Sequence, residues 1–493
     1  MPKVSVVSPT APLRADAVVV GVHRTPGGPA LAAGADALDA DFGARLLDAL
    51  RALDAVGRAE ELHKIPTLGL AGVPLVVAVG LGDAPAGDAE VPAETARRAA
   101  GTAVRALTKR RRVHFALDAP ADALAEGALF GAYTFDTYKS QAPKNELRTI
   151  TIAAPPAARS AVRRAVVVAD AVTLVRDLVN TPPNDLYPQT FAARAKELAD
   201  EAGLEIEVLD ERALKRGRYG GILGVGQGSA RGPRMVRLTY RPARARQDTP
   251  LVALVGKGVT FDTGGLNLKT AGMAAMKSDM GGAAAVLAST IALAALKVPV
   301  AVTATVPMVE NMPSGTSYRP SDILTMHNGR TVEVTDTDAE GRLILGDAIS
   351  RAAEDSPARL IEISTLTGAQ IVALGARVIG AMGTDSWRDD VVAAGNDVGE
   401  ASWSMPLPDE IRATLDSPVA DLQNLPGERF AGMLTAGRFV GEFVPGDLPW
   451  VHLDIAGPSF NTAGPRDYTP KGGTGAGVRT IVAAVEAYAG TLG

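Results

Sequence analysis

The sequence predicts an α/β protein with a smaller N-terminal α/β domain and a larger C-terminal one. Three observations carry this. The chain has 493 residues, and at roughly 100–200 residues per domain that length implies two or more. Short β-branched runs alternate with alanine-rich helical patterns in both halves, as they do where helices cover a sheet. The stretch "NTPPNDLYP" (Asn180 to Pro188) ends a long helical pattern, because two prolines among asparagine, threonine and aspartate stop a helix.

In the first third, Ala17 to Val22, Pro74 to Gly82, Val113 to Leu117 and Arg148 to Pro155 read as strands. Helical patterns cover Ala35 to Leu53 and Pro92 to Leu107, and another runs from about Ala157 to Val179. The boundary is placed there: residues 1–156 form the N-terminal domain, 157–184 a linker helix and 185–493 the C-terminal domain. In the latter, Ile206 to Leu209, Met235 to Pro242, Pro250 to Gly256, Val298 to Val309 and Ala358 to Thr365 read as strands. Their continuous apolar character predicts burial on both faces.

Composition narrows the function. The formal net charge is -5, which disfavours a general binder of nucleic acid or anionic membrane. No cysteine is present, so disulfides, thiolate catalysis and cysteine-ligated metal centres are excluded. The first residues lack a charged start followed by an apolar block and a cleavage site, so a cytoplasmic location is expected. "GGAAAVLASTIALAAL" (Gly281 to Leu296) is short and alanine-rich, and reads as a buried helix rather than a membrane span of about 20 strongly apolar residues.

Two blocks carry chemistry. "EVTDTDAEGRLILGDA" (Glu333 to Ala348) crowds acids before an apolar helix. Thr331 to Val334 is strand-like, so Asp338 and Glu340, two residues apart in an extended segment, are expected to point the same way from the strand's carboxyl end. Open α/β sheets place ligands at such ends. Upstream, "LVGKGVTFDTGGLNLKTAGMAAMKSDMGGAAAV" (Leu254 to Val286) supplies Lys257, Asp262, a glycine pair, Lys269 and Asp279 before another helix. If Asp262, Asp279, Asp338 and Glu340 converge, they cannot all stay ionised without cations among them. A pair of divalent metals about 3.5–4 Å apart is the usual remedy and a common hydrolytic device. Oxygen-rich ligation suits magnesium, manganese or zinc. Taken singly, each aspartate reads as well as a helix cap or a surface ion pair.

These blocks resemble the leucyl aminopeptidase family of cytosolic two-metal aminopeptidases. The family signature Asn-Thr-Asp-Ala-Glu-Gly-Arg-Leu appears here as "DTDAEGRL" (Asp336 to Leu343), and "VGKGVTFDTGG", "MKSDMGGAAAV", "ENMPSGTSYRPSD" (Glu310 to Asp322), "STLTGA" (Ser364 to Ala369) and "HLDIAG" (His452 to Gly457) extend the match. The likeness runs from about Ala165 to the C-terminus. It implies a macrodomain-like N-terminal domain and a catalytic domain with a mixed central sheet. It also implies two divalent metal ions per subunit, Mn2+ or Zn2+, held by Lys257, Asp262, Asp279, Asp338 and Glu340, with Asp262 and Glu340 bridging. Lys269 and Arg342 would be the catalytic cations, Arg342 carrying bicarbonate as general base with backbone from Leu366 to Gly368 completing the anion site. Met276, Thr365, Gly368, Ala456 and Ser459 would line the pocket for the first side chain of a peptide substrate, with leucine and other apolar residues preferred. A homohexamer is implied as well.

Two departures stand out. Asp336 replaces the signature asparagine, an added charge near the metals unless it pairs elsewhere. The loop after Lys269, "TAGM", is one residue shorter than is common in the family.

Other motifs are weaker. None of His23, His63, His114, His327 and His452 forms a zinc-motif pair, and no Gly-x-Ser-x-Gly elbow occurs. "GGTGAG" (Gly472 to Gly477) lacks the ending of a phosphate loop. Lys109 to Arg112 is a run of four cations. DNA binding through that run is a second reading, against which stand the acidic total and the fit of cations to a helix end.

Overall fold

A computed structural model describes residues 1–492 apart from 36, 37, 39–41, 43, 44, 87, 88, 142–144, 428 and 429. The chain divides into two compact units, Met1–Thr173 with Ala463–Lys471 and Leu174–Thr462 with Gly472–Gly493. The passage from one to the other falls within the helix Arg159–Asn180.

The first unit is built on a seven-stranded sheet. Strands β1 (Lys3–Val7), β2 (Ala17–Thr25), β5 (Leu75–Asp83), β6 (Arg112–Phe115) and β7 (Thr149–Ala153) run parallel in the order β1-β7-β6-β2-β5. Strands β3 (Gly28–Leu31) and β4 (Leu62–Pro66) join antiparallel to β2 and β5. The strands read from the sequence are the long apolar ones. β1, β3 and β4 escape such a reading because they are short and only partly buried. The helix expected at Pro92 to Leu107 forms over Ala93–Arg105. Of that expected at Ala35 to Leu53, the described helix is Arg45–Ala52, and part of the remainder lies outside the described residues.

The second unit carries a nine-stranded mixed sheet. Its strands are β8 (Glu205–Leu209), β9 (Arg234–Tyr240), β10 (Leu251–Gly256), β11 (Gly258–Asp262), β12 (Ala301–Asn311), β15 (Arg359–Ser364), β16 (Ile379–Gly383), β17 (Ser402–Ser404) and β19 (Trp450–Asp454). The order is β17-β16-β19-β15-β10-β12-β9-β8, with β11 on the end of β12. The centre, β19-β15-β10-β12, is parallel. Burial on both faces holds for β10, β12 and β15. It fails for β8, whose Glu205, Glu207 and Val208 are exposed because, among the described residues, it is an edge strand paired only with β9. The strand-like segment at Thr331 is also displaced from expectation. Strand β14 (Thr331–Glu333) lies outside the main sheet, between β13 (Ile323–Thr325) and β18 (Leu422–Gln423) in a small three-stranded sheet.

The helix Gly281–Leu296 is a core helix, its residues through Thr290 all buried. It sits tightly on the sheet. A Cβ at Gly282 would lie 2.1 Å from the Ile363 carbonyl oxygen and 3.0 Å from the Lys257 nitrogen. This approach lets the Ala283 amide donate to the Lys257 carbonyl at 2.8 Å, at the carboxyl end of β10. Gly282→Ala is therefore expected to lower unfolding free energy by about 1–3 kcal/mol, the usual cost of overpacking. Gly315→Ala, whose Cβ would meet nothing within 4 Å, serves as the control. Urea titration of both variants checks this: an unchanged midpoint for Gly282→Ala would contradict the tight contact.

Candidate metal centre and active site

The parallel strands β10, β15 and β19 deliver their carboxyl ends to one place. Lys257 follows β10 directly and is 3% exposed. Its Nζ lies 2.8 Å from Asp279 Oδ2 and 2.9 Å from Glu340 Oε1, and donates to the Thr365 carbonyl at 3.1 Å. Gly341 makes room for that side chain, since a Cβ there would fall 2.6 Å from Lys257 Cε. Asp262 ends β11. Its Oδ1 accepts from the Gly264 amide at 2.8 Å and from Asn311 Nδ2 at 2.9 Å. Its Oδ2 faces Lys269 Nζ at 2.7 Å, and the same ammonium sits 2.5 Å from Asp338 Oδ1. The turn that brings Lys269 back needs Gly264 and Gly265 at φ of +87° and +66°. It closes with the Lys269 amide donating to the Thr263 carbonyl at 2.8 Å.

Asp338 and Glu340 converge by a different geometry from the extended one expected. Residues 337 and 338 form a turn, and Glu340 has φ of -74° and ψ of -35° as the residue capping the helix Gly341–Ala353. Asp338 is exposed and Glu340 buried, yet carboxylate oxygens of Asp262, Asp338 and Glu340 all lie within 4.8 Å of one another.

Electrostatics follows from this crowding. Burial, with the charges of Glu340 and Asp262, pushes the Asp279 carboxyl up to about 8. Burial with Asp262 and Glu340 pushes Asp338 up to about 7, and burial with the Asp262 carboxylate likewise raises Glu340. Burial acts to lower Lys257 and Lys269, but the surrounding carboxylates overcome it and raise both well above the ordinary lysine value. Four carboxylates against two ammoniums leave a deficit of two positive charges when all ionise. Glu340 Oε2 is moreover buried without a hydrogen-bond partner among the described residues. An all-carboxylate cluster with an unpartnered buried oxygen fits hard or borderline divalent cations.

Beside this cluster, Arg342 is buried. Its Nη1 donates to the Asn424 carbonyl at 2.8 Å, while its Nε has no partner among the described residues. Burial lowers its pKa to about 10. Asp454, fully buried at the end of β19, ties down the neighbouring loop. Its Oδ1 accepts from the amides of Leu366 (3.2 Å) and Ala456 (3.1 Å), and its Oδ2 from Thr367 Oγ1 (2.8 Å). The Leu366 amide, expected to help hold an anion, is thus engaged by Asp454. Gly368 is exposed at the start of the helix Gly368–Leu374.

Among the residues expected to line a pocket, Thr365 and Ser459 meet over Gly281, with Thr365 Cγ2 3.6 Å and Ser459 Cβ 3.4 Å from where its Cβ would stand. Thr365 also donates its hydroxyl to Asp279 Oδ1 at 2.7 Å, so it orients an acid as well. Ser459 and Ala456 are linked through a 3.4 Å hydroxyl-to-carbonyl contact. Met276 is half-buried in the short helix Met273–Ser278, its carbonyl accepting the Asp279 amide at 3.2 Å. Asp336, the residue at the signature asparagine position, uses Oδ1 to accept the Asp338 amide at 2.7 Å.

Several participants give little sign in the sequence. Asn311 donates to both Asp262 and the Thr337 carbonyl. Tyr318 donates its hydroxyl to that same carbonyl at 2.7 Å. Both lie in the "ENMPSGTSYRPSD" block, whose polar residues would have been the signal. His452 is buried in an ion pair with Glu362. The cationic run is exposed, with Arg112 pairing to Asp16 at 3.0 Å.

Comparison with known proteins identifies the family of the chain. The family model "Cytosol aminopeptidase family, catalytic domain" matches residues 173–482, and "Cytosol aminopeptidase family, N-terminal domain" matches residues 19–142. A probable cytosol aminopeptidase of Nocardia farcinica is 52% identical over 484 residues, covering 96% of this chain and 94% of that protein. One from Mycobacterium tuberculosis is 52% identical over 464 residues, covering 91% and 89%. Among solved structures, the bottromycin maturation enzyme BotP in complex with Mn superposes with a TM-score of 0.85 at 37% identity, covering 97% of this chain and 100% of that one. A mutant tomato leucine aminopeptidase superposes with a TM-score of 0.87 at 29% identity, covering 99% and 97%. The chain belongs to the cytosol aminopeptidase family, and its class is that family's: a hydrolase acting as a metallo-exopeptidase.

Proposed function

We propose that the protein is a two-metal aminopeptidase that releases N-terminal leucine and other apolar residues from peptides. The observation that carries this is the convergence of buried Asp262, Asp279 and Glu340 with the more exposed Asp338 around Lys257 and Lys269, Glu340 Oε2 being without a hydrogen-bond partner among the described residues. Two divalent ions, Mn2+ or Zn2+, would be held by Asp262 and Glu340 between them, by Lys257 and Asp279 on one side and by Asp338 on the other. The manganese complex of the similar BotP structure favours that metal. Lys257 would have to give up its proton to ligate, because an ammonium has no lone pair.

When bound, the metals polarise the scissile carbonyl and lower the pKa of a water nucleophile. The chain's own groups do the rest. Lys269, held between Asp262 and Asp338, aims its ammonium at the charge that develops on the carbonyl oxygen. Arg342, with Nε free and its other face fixed by the Asn424 carbonyl, offers a planar fork for bicarbonate, which would take the proton from water. Asp279, oriented by Thr365, receives the free amino terminus of the substrate. Met276, Thr365, Gly368, Ala456 and Ser459 would surround the first side chain. A cytoplasmic homohexamer is the assembly proposed.

Three outcomes test this reading. Asp262→Ala and Glu340→Ala should each abolish activity and lower bound metal, measured by elemental analysis beside turnover. Full occupancy with near-normal turnover in either would contradict the bridging roles.

Lys269→Ala and Arg342→Ala should retain metal but differ in turnover. Loss of an oxyanion donor costs about 100–1,000-fold in rate, whereas buffer anions can partly replace an arginine-held base. Equal losses at every bicarbonate concentration would contradict the anion-carrier role of Arg342.

With manganese, Leu-Gly-Gly should be cleaved and acetyl-Leu-Gly-Gly barely, since acetylation removes both the charge and the lone pair of the amine. Leucine should outrun glutamate at the first position, because a carboxylate would be desolvated beside other carboxylates. Chromatographic analysis of the products checks this, and comparable cleavage of the two leucine peptides would rule out an aminopeptidase.

A further inference from the structure

We propose that Asn424 is a positioning residue that shapes the acid-bearing turn 335–339 for metal binding and aims Arg342; this rests on the two-metal reading above. Asn424 touches no reacting group. It follows β18, 85 to 89 residues beyond the turn, and is fully buried. Its Oδ1 accepts from the Thr335 amide at 2.8 Å, the Thr335 hydroxyl at 3.0 Å and the Asp336 amide at 3.3 Å. Its Nδ2 donates to the Asp336 carbonyl at 2.7 Å and the Ala339 carbonyl at 3.3 Å. Its own carbonyl accepts Arg342 Nη1 at 2.8 Å, and its amide donates to the Glu333 carbonyl at 3.0 Å.

The orientation of the side-chain amide is unambiguous, because backbone amides can only donate and carbonyls can only accept. One side chain therefore closes the turn at both ends. Asp336 continues the chain of bonds, since it is gripped by Asn424 through its backbone and accepts the Asp338 amide with its carboxylate. This matters because the Asp338 side chain is 34% exposed and its carboxylate is held by Lys269, the group metal loading would disturb. Its backbone has to supply the order that its surroundings do not. Groups that orient metal ligands without touching the metal typically govern about 10–100-fold in metal affinity. The same residue fixes Arg342, so the metal centre and the anion site share one anchor.

The carboxamide at 424 serves both edges because it carries an acceptor and a donor together. Aspartate keeps the shape and the acceptor but cannot donate, and would set a carboxylate against the Asp336 and Ala339 carbonyls. Alanine loses every side-chain bond. Gln423, next in sequence, sends its side chain to the Thr414 carbonyl instead and provides a local control.

The test uses the full-length protein stripped of metal, titrated with Mn2+ under equilibrium dialysis, alongside kinetics on Leu-Gly-Gly and melting of the metal-free form. Asn424→Ala and the isosteric Asn424→Asp should each weaken Mn2+ binding about 10–100-fold and lower kcat more than they raise KM. Gln423→Ala should match the unmodified protein. Wild-type Mn2+ affinity and kcat in Asn424→Asp would overturn the proposal, and so would a loss confined to metal-free melting with affinity retained. A wild-type protein that binds no Mn2+ would instead overturn the two-metal reading on which it rests.

Discussion

Four carboxylates and two lysines crowd one largely buried site, with Asp338 at its exposed edge, and the surrounding architecture answers the cost of that arrangement. Charges taken out of water need partners or they neutralise. Here each carboxylate is bracketed. Asp262 has a backbone amide, Asn311 and Lys269; Asp279 has Thr365 and Lys257; Glu340 has Lys257; Asp338 has Lys269. Burial, together with the neighbouring carboxylates, raises Asp279, Asp338 and Glu340, while the same carboxylates overcome burial to raise both lysines. The fold supplies the convergence. Parallel β10, β15 and β19 end at one level, and Gly282 and Gly341 let a helix backbone and the Lys257 side chain approach more closely than any Cβ allows.

How much of this was legible depends on whether the signal was local. β10 and β12 are continuous apolar runs, and a strand buried on both faces leaves that trace. The two acidic blocks stand out because each gathers its acids beside glycines just before an apolar helix, and the residues they flag do meet. β8 misled because Ile206, Val208 and Leu209 look like a core strand, while the two glutamates between and before them report an edge. β14 misled differently: a strand-like run says nothing about which sheet it joins, and here its partners are β13 and β18.

Long-range partnerships were the least legible. Asn424 lies in a segment with no motif, and Asp454 and Asn311 lie in blocks that carry the family likeness without showing which partners they reach. Their importance comes from bonds spanning 88, 88 and 49 residues. Asp336 illustrates the same limit from the other side. Its extra charge looked disruptive in isolation, but its carboxylate caps the Asp338 amide, which any short side-chain acceptor at that position could do. Thr365 likewise reads as pocket lining, yet its hydroxyl orients Asp279 while its methyl faces Gly281.

We propose that this cluster holds a pair of metal ions sharing Asp262 and Glu340, rather than lysine ion pairs alone. The most direct measurement is electron paramagnetic resonance of the unmodified protein during Mn2+ titration. Two ions bridged by common carboxylates should saturate at two per chain and suppress the isolated-ion signal through exchange coupling. One magnetically isolated Mn2+ per chain, or none, would contradict the account.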